Sequence, residues 1–257
     1  NQTTTITSVC DPESLPRVPG PKLGPFTSTA LADIKFLSEL GDGDNKDSHV
    51  WKVQINIDNE WEMYALKMVS TPLAACLVNP LNHLVYYHPN LYRDKVQAKY
   101  MHTLPRCNFR EGYLSPFGCE CRAYGRLKEH GREDLAHKAH GYLLIPYQQQ
   151  LELLRAYSAA AGYEFAPSHL DQLWGRPEKD RLLPVKAIVK ELVPAESATC
   201  GIGPRASQAR KAWEDLEALH RLGIFVLDIQ YWNYLDGKLI DFSRALTSYH
   251  PCLDSCP

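Results

Sequence analysis

No apolar run in this 257-residue chain approaches the roughly eighteen residues that crossing a bilayer requires, and no charged-then-apolar leader opens it. The expectation is therefore no membrane span and a cytoplasmic or nuclear setting. Net charge is nearly absent as well. With 28 basic residues against 30 acidic ones, no global field recruits nucleic acid or a lipid surface, so partners have to be argued from sites. There is no internal repeat and no low-complexity tract. Metal-site spacing is also missing. Of the eight cysteines (10, 76, 107, 119, 121, 200, 252 and 256), Cys119 and Cys121 have one residue between them and Cys252 and Cys256 three, where zinc sites use two. His83 with His88, and His137 with His140, lack a placed third ligand. Reduced thiols and no zinc are expected.

What is present begins with a hydrophobic fraction of 44%, ample for a core. The opening "LPRVPGPKLGPF" holds four prolines, which remove donors and fix torsions. Residues 1–30 are therefore expected to form an extended arm over a surface, outside the core. From Ile34, "IKFLSEL", "HVWKVQINI" and "WEMYALKMV" suit an antiparallel meander, with "DNE" as a hairpin corner. Residues 71–117 carry aromatic and basic side chains without a clean period and are read as an insertion. In "GCECRAYGRLKEHG", Glu120, Ala123, Tyr124 and Leu127 share one helix face and Gly131 can supply a left-handed end. A strand at "GYLLIPY", a helix around "LELLRAYSAAAGY" and a strand at "VKAIVKELVP" follow. A last helix, "SQARKAWEDLEALHRLG", is expected to bury Trp213, Leu216, Leu219 and Leu222 between a cap at Ser207 and a stop at Gly223.

Two anomalies carry the chemistry. Strand alternation puts Lys67 on one face with Met63, Ala65 and Val69, where an ammonium needs a partner. Glu120, a carboxylate on an apolar helix stripe, is the candidate; the alternative is that both side chains reach water. Further on, in "LDIQYWNYLDGKLIDF", Asp228 precedes Asn233 by five positions, and a hairpin at Asp236-Gly237 returns Asp241 to the end where Asn233 sits. An amide and a carboxylate there suit magnesium, and Asp228 is left to orient or deprotonate a nucleophile. Tyr231 and Trp232 lie in the same loop as candidates for stacking on a ring-shaped substrate, with core packing the expected role of Trp232.

In this order, a glycine-containing turn (Gly41, Gly43), the strand lysine of "ALKM", a helix glutamate, an Asp with Asn five residues on, and "DFS" resemble the protein-kinase and small-molecule-kinase fold. Within it, "LPRVPGPKLGPF", "ECRAYGRLKE", "AIVKELV" and "LDIQYWNYLDGKLIDFS" are similar to a fungal kinase-like family labelled as a kinetochore complex subunit. The resemblance covers nearly the whole chain. It implies an α+β, protein-kinase-like fold: an antiparallel N-lobe sheet over residues 31–193 with a helix bearing Glu120, and a reduced C-terminal lobe over 194–257. It further implies that Lys67 holds ATP phosphates and pairs with Glu120, that Asn233 and Asp241 bind magnesium, and that Asp228 is the catalytic base. Glu191 and Val193 take the place of the adenine-binding hinge.

The departures point away from a protein kinase. No third glycine follows Gly43, and Asp42, Asp44 and Asp47 would repel phosphate. Val226 and Leu227 replace the usual His and Arg before the base, and only residues 244–257 follow Ser243. Three functions are carried forward: ATP- and magnesium-dependent transfer to a small molecule; a non-catalytic adaptor in a protein complex; and aminoacyl-tRNA-dependent peptide or cyclodipeptide formation in fungal secondary metabolism. In the last, the 71–117 insertion would contact tRNA.

Overall fold

A computed structural model describes residues 15, 18–26, 33–40, 48–69, 113–176, 178–194, 206–250 and 253. The glycine turn at Gly41 and Gly43 and residues 71–112 of the insertion lie outside the described residues. Strands β1 (Ile34–Leu40), β2 (Ser48–Ile57) and β3 (Glu60–Val69) form the expected meander. The β2–β3 corner is the two-residue turn Asp58-Asn59, with φ of 51° and 70°, a left-handed pair that Asp and Asn tolerate. Strands β4 (Ala139–Ile145) and β5 (Val185–Glu191) complete an antiparallel sheet in the order β1-β2-β3-β5-β4.

Both faces of this sheet are covered. Leu66, Met68, Leu143, Ile145, Ala187 and Val189 meet Leu153 and Leu154 of helix α2 (Tyr147–Ala161) and Leu170 and Trp174 of α3 (His169–Trp174), where α1 denotes the helix at Pro116–Glu129. On the opposite face, Val69 and Ile188 pack with Phe117, Tyr124 and Leu127 of α1. The same cluster takes in Leu216 and Leu219 of helix α4 (Ala206–Arg221), Ile224 of β6 (Ile224–Val226) and Ala245 of β9 (Ala245–Thr247). One apolar core thus runs across the expected lobe boundary at residue 193. Between β6 and β9, strands β7 (Tyr234–Leu235) and β8 (Lys238–Leu239) form a small hairpin at Asp236-Gly237.

Helix α1 starts where its chemistry allows. The Ser115 hydroxyl accepts from the Gly118 amide at 3.0 Å and Pro116 occupies the first turn, while Gly131 beyond the end has φ 62°. Residues 113–117, assigned above to the insertion, thus belong to this helix start, with Tyr113 and Phe117 buried.

Two expectations are corrected here. The proline-rich arm is not a surface feature over residues 18–26. Leu23 is fully buried in the core, its amide donates to the Cys121 carbonyl at 2.7 Å, and Phe26 and Gly24 exchange backbone hydrogen bonds with Tyr142 of β4. Prolines remove donors only at their own positions; the amides of Leu23 and Phe26 remain free to bond. The approach is so close that a Cβ on Gly125 would lie 2.5 Å from the Lys22 backbone, and one on Gly141 2.6 Å from Phe26. Trp213 is the second correction: it is 65% exposed, its indole donating to Glu217 at 3.0 Å. A strict three-residue repeat drifts about 60° per step around a helix, so the first member of 213-216-219-222 rotates out of the stripe that Leu216 and Leu219 bury.

Candidate functional site

Lys67 points from β3 toward α1, as alternation requires, and is 4% exposed. Its ammonium contacts Glu120, which is fully buried, and donates to Asp241 Oδ1 at 2.8 Å. A second cation, Lys190 on β5, lies 2.6 Å from the other Glu120 oxygen and donates to the Ile240 carbonyl at 2.7 Å. It also sits over the Tyr124 ring, 5.1 Å from its centre. Two ammonium groups and two carboxylates therefore close into one buried, neutral cluster. Glu120 takes one ammonium on each of its oxygens.

The electrostatics follow from this closure. Burial pulls the Lys67 ammonium down, but Asp241 and then Glu120 outweigh it and push it above its ordinary value. Burial raises Asp241, yet Lys67 and Lys190, with the Ser243 amide at 2.7 Å, hold its carboxyl far below the usual range. Cys119 and Cys121 are free and buried beside Glu120; burial pushes the Cys119 thiol up to about 12, so both are unreactive.

The loop residues gather as the hairpin demands. The Asn233 side-chain amide donates to the Asp228 carbonyl at 2.9 Å, and the Ile240 amide bonds the Asn233 carbonyl at 2.8 Å, bringing both hairpin ends together next to Asp241. The Asp228 carboxylate has no partner among the described residues. Glu191 is fastened from the side: its carboxylate accepts from the Lys138 amide at 2.9 Å and faces His137 Nδ1 at 2.7 Å. Burial raises that carboxyl, and these partners bring it below its ordinary value. His137 Nε2 meets the Leu235 carbonyl at 2.7 Å, tying the end of β5 to the small hairpin. Val193 follows β5, half-buried.

The packing role expected of Trp232 is not found. It is 57% exposed and Tyr231 is 59% exposed, the rings meeting edge-on at 4.8 Å, with Leu227 and Ile229 also exposed. A three-residue 3-10 turn at Tyr231–Asn233 directs Asn233 inward and leaves its two aromatic neighbours outside. Lys190 was the residue missed by reading the sequence. Its signal was the same alternation that exposed Lys67, since in "VKAIVKE" it shares a face with the buried Ile188.

Asp241 Oδ1 is shared between Lys67 and the Ser243 amide, and the two carboxylates of the cluster are matched by two ammonium groups, so the oxygens left to hold a magnesium ion would be Asp241 Oδ2, Asn233 Oδ1 and the Asp228 carboxylate. Among the described residues no group of three or more His, Cys, Asp or Glu side chains is placed to bind a metal.

Fold and site together define an α+β protein whose antiparallel sheet presents a charge-balanced buried cluster beside an aromatic loop. The family model described as kinetochore Sim4 complex subunit FTA2 matches residues 11–246, and the chain belongs to that family. No curated protein matches the chain, and no solved structure does.

Proposed function

We propose that this chain is a non-catalytic, kinase-like subunit of a nuclear protein complex, supplying surface to partner proteins instead of turning over nucleotide. The family is that of a kinetochore complex subunit, which supports a protein assembly and a nuclear setting. The observation that carries the reading is the closure of the Lys67, Glu120, Asp241 and Lys190 cluster. With Lys67 held by both carboxylates, ATP phosphates would have to share its ammonium, and magnesium at Asp241 would have to bind beside Lys67. The exposed Tyr231 and Trp232 beside Asp228 fit a loop that meets protein. The tRNA reading rested on the insertion, of which residues 71–112 lie outside the described residues.

A phosphotransferase acting on a small molecule is the second reading, favoured by one feature: the Asp228 carboxylate has no partner among the described residues while its loop is fastened through Asn233. Calorimetry of the full chain with magnesium and ATP separates the two. The adaptor reading expects no saturable heat. Saturable binding that disappears in Lys67→Met, together with magnesium-dependent consumption of ATP, supports the phosphotransferase instead.

A further inference from the structure

On the side of α1 away from the charge cluster, a pocket of about 520 Å³ opens between the C-terminal ends of α1 and α4, the start of β6 and the segment after β9. Arg126 lies six residues beyond Glu120, which places it about 9 Å along the helix and on a different face. Two guanidinium groups (Arg126, Arg221) and two imidazoles (His130, His220) line the pocket, and among the described residues no acidic side chain does.

Three independent features mark it as a built site. Arg126 is 8% exposed, its Nη1 donates to Glu129 at 2.8 Å, and its Nε is buried with no hydrogen-bond partner. An unpaired donor on a buried cation is costly unless something completes it. Tyr249 holds φ 64°, a conformation rare for an aromatic residue, and presents its ring 5.4 Å from the Arg126 guanidinium. The floor is rigid: His220 stacks on Phe225 at 5.0 Å, the Ser248 amide donates to the Gly223 carbonyl at 2.7 Å, and a Cβ at Gly223 would overlap the Ser248 hydroxyl.

Helix C-termini ordinarily repel anions, but here the local carbonyls are occupied. Arg126 O accepts from the His130 amide, Leu219 O from Leu222 and His220 O from Gly223. The competing carboxylates, Glu129 and Glu217, lie outside the lining and make part-exposed contacts with Arg126 and Arg221, which yield readily.

We infer that this pocket binds a phosphorylated side chain of a partner polypeptide, the phosphate meeting Arg126 and Arg221 and the stem resting between Phe225 and Tyr249. Phosphate suits the cations because charge-assisted, forked hydrogen bonds from Arg are the strongest available to it. The mix of aromatic and cationic lining favours a group carried on a chain over a free ion. Only this choice of source rests on the complex-subunit reading; a positive magnesium-ATP result would leave the pocket's chemistry standing.

The test follows the ring proton and carbon signals of His130 and His220 in the labelled full chain, at constant ionic strength, as a capped Ala-phosphoserine-Ala peptide is added. The expected result is a saturable shift, absent with the unphosphorylated peptide, with affinity about tenfold weaker in Arg221→Gln. Arg221 is exposed, so that variant keeps the fold where Arg126→Gln would put it at risk. Equal or tighter binding of inorganic phosphate overturns the side-chain source. An equal response to sulfate reduces the effect to screening and overturns the site. Unchanged affinity in both Arg221→Gln and His130→Asn, or no shift at all, overturns it as well.

Discussion

Replacing Glu120 by Gln keeps the shape of the cluster and removes the charge that offsets the mutual repulsion of Lys67 and Lys190. Two ammonium groups would then share the single carboxylate of Asp241, and the expected loss is about 3–5 kcal/mol of unfolding free energy in urea. Adding Lys190→Met should recover much of it, because Lys67 and Asp241 alone form a balanced pair; equal instability of single and double variants would contradict the account. His250 yields a separate, pH-dependent expectation. It is fully buried, its Nε2 donates to the Tyr113 carbonyl at 3.2 Å, and burial pulls its imidazole down to about 4, with Arg122 acting in the same direction. The unfolded chain takes up this proton near pH 6.5 and the folded chain does not until about pH 4, so stability falls as pH drops through that window. The contribution lost is about 3 kcal/mol, and His250→Gln should flatten the pH dependence between 6.5 and 4, read by denaturation midpoints. At this scale Lys67 and Glu120 were legible because each violated a burial pattern. Lys190 violates the same pattern, but pairing one buried carboxylate with two cations is an arrangement that strand alternation does not predict.

The strap formed by residues 18–26 is an element without regular secondary structure, and its hold on α1 and β4 is as specific as that of a strand. Two glycines make room for it, so Gly125→Ala or Gly141→Ala should push Lys22 or Phe26 out of place. Overpacking of this kind typically costs about 1–3 kcal/mol, and Leu23→Ala, which leaves a cavity in the core, about 2–5 kcal/mol. The matching local readout is hydrogen exchange at the Tyr142 amide, which donates to the Gly24 carbonyl at 3.0 Å. Faster exchange there, with the centre of β5 still protected, is expected of both glycine variants. The meander, the hairpin at Asp236-Gly237 and the ends of α1 were readable because turn and cap chemistry is local. The strap was not, because which groove an extended segment enters depends on glycines a hundred residues away, and the outward turn of Trp213 depends on a helical phase that three-residue spacing obscures.

At the scale of the molecule, the exposed aromatic loop should matter to assembly and not to folding. Tyr231→Ser with Trp232→Ser is expected to leave the unfolding free energy within about 0.5 kcal/mol of the parent. The same variant should lose at least tenfold in affinity for its complex, measured by reconstitution with the other subunits; unchanged assembly would locate the contact elsewhere. The cleft joining a strand lysine, a helix carboxylate and a late hairpin aspartate was legible as an order of residues along the chain. That Lys67 contacts both carboxylates and that Lys190 takes the second oxygen of Glu120 became visible only in three dimensions. Arg122 joins the molecule in another way. Its guanidinium donates to the Pro19 carbonyl, 103 residues upstream, and to the Thr247 and Ser248 carbonyls, 125 and 126 residues downstream. During synthesis that cation has no full set of acceptors until residue 248 has left the ribosome, so a nascent chain halted in the 230s would carry an unfinished interior and depend on chaperones until release.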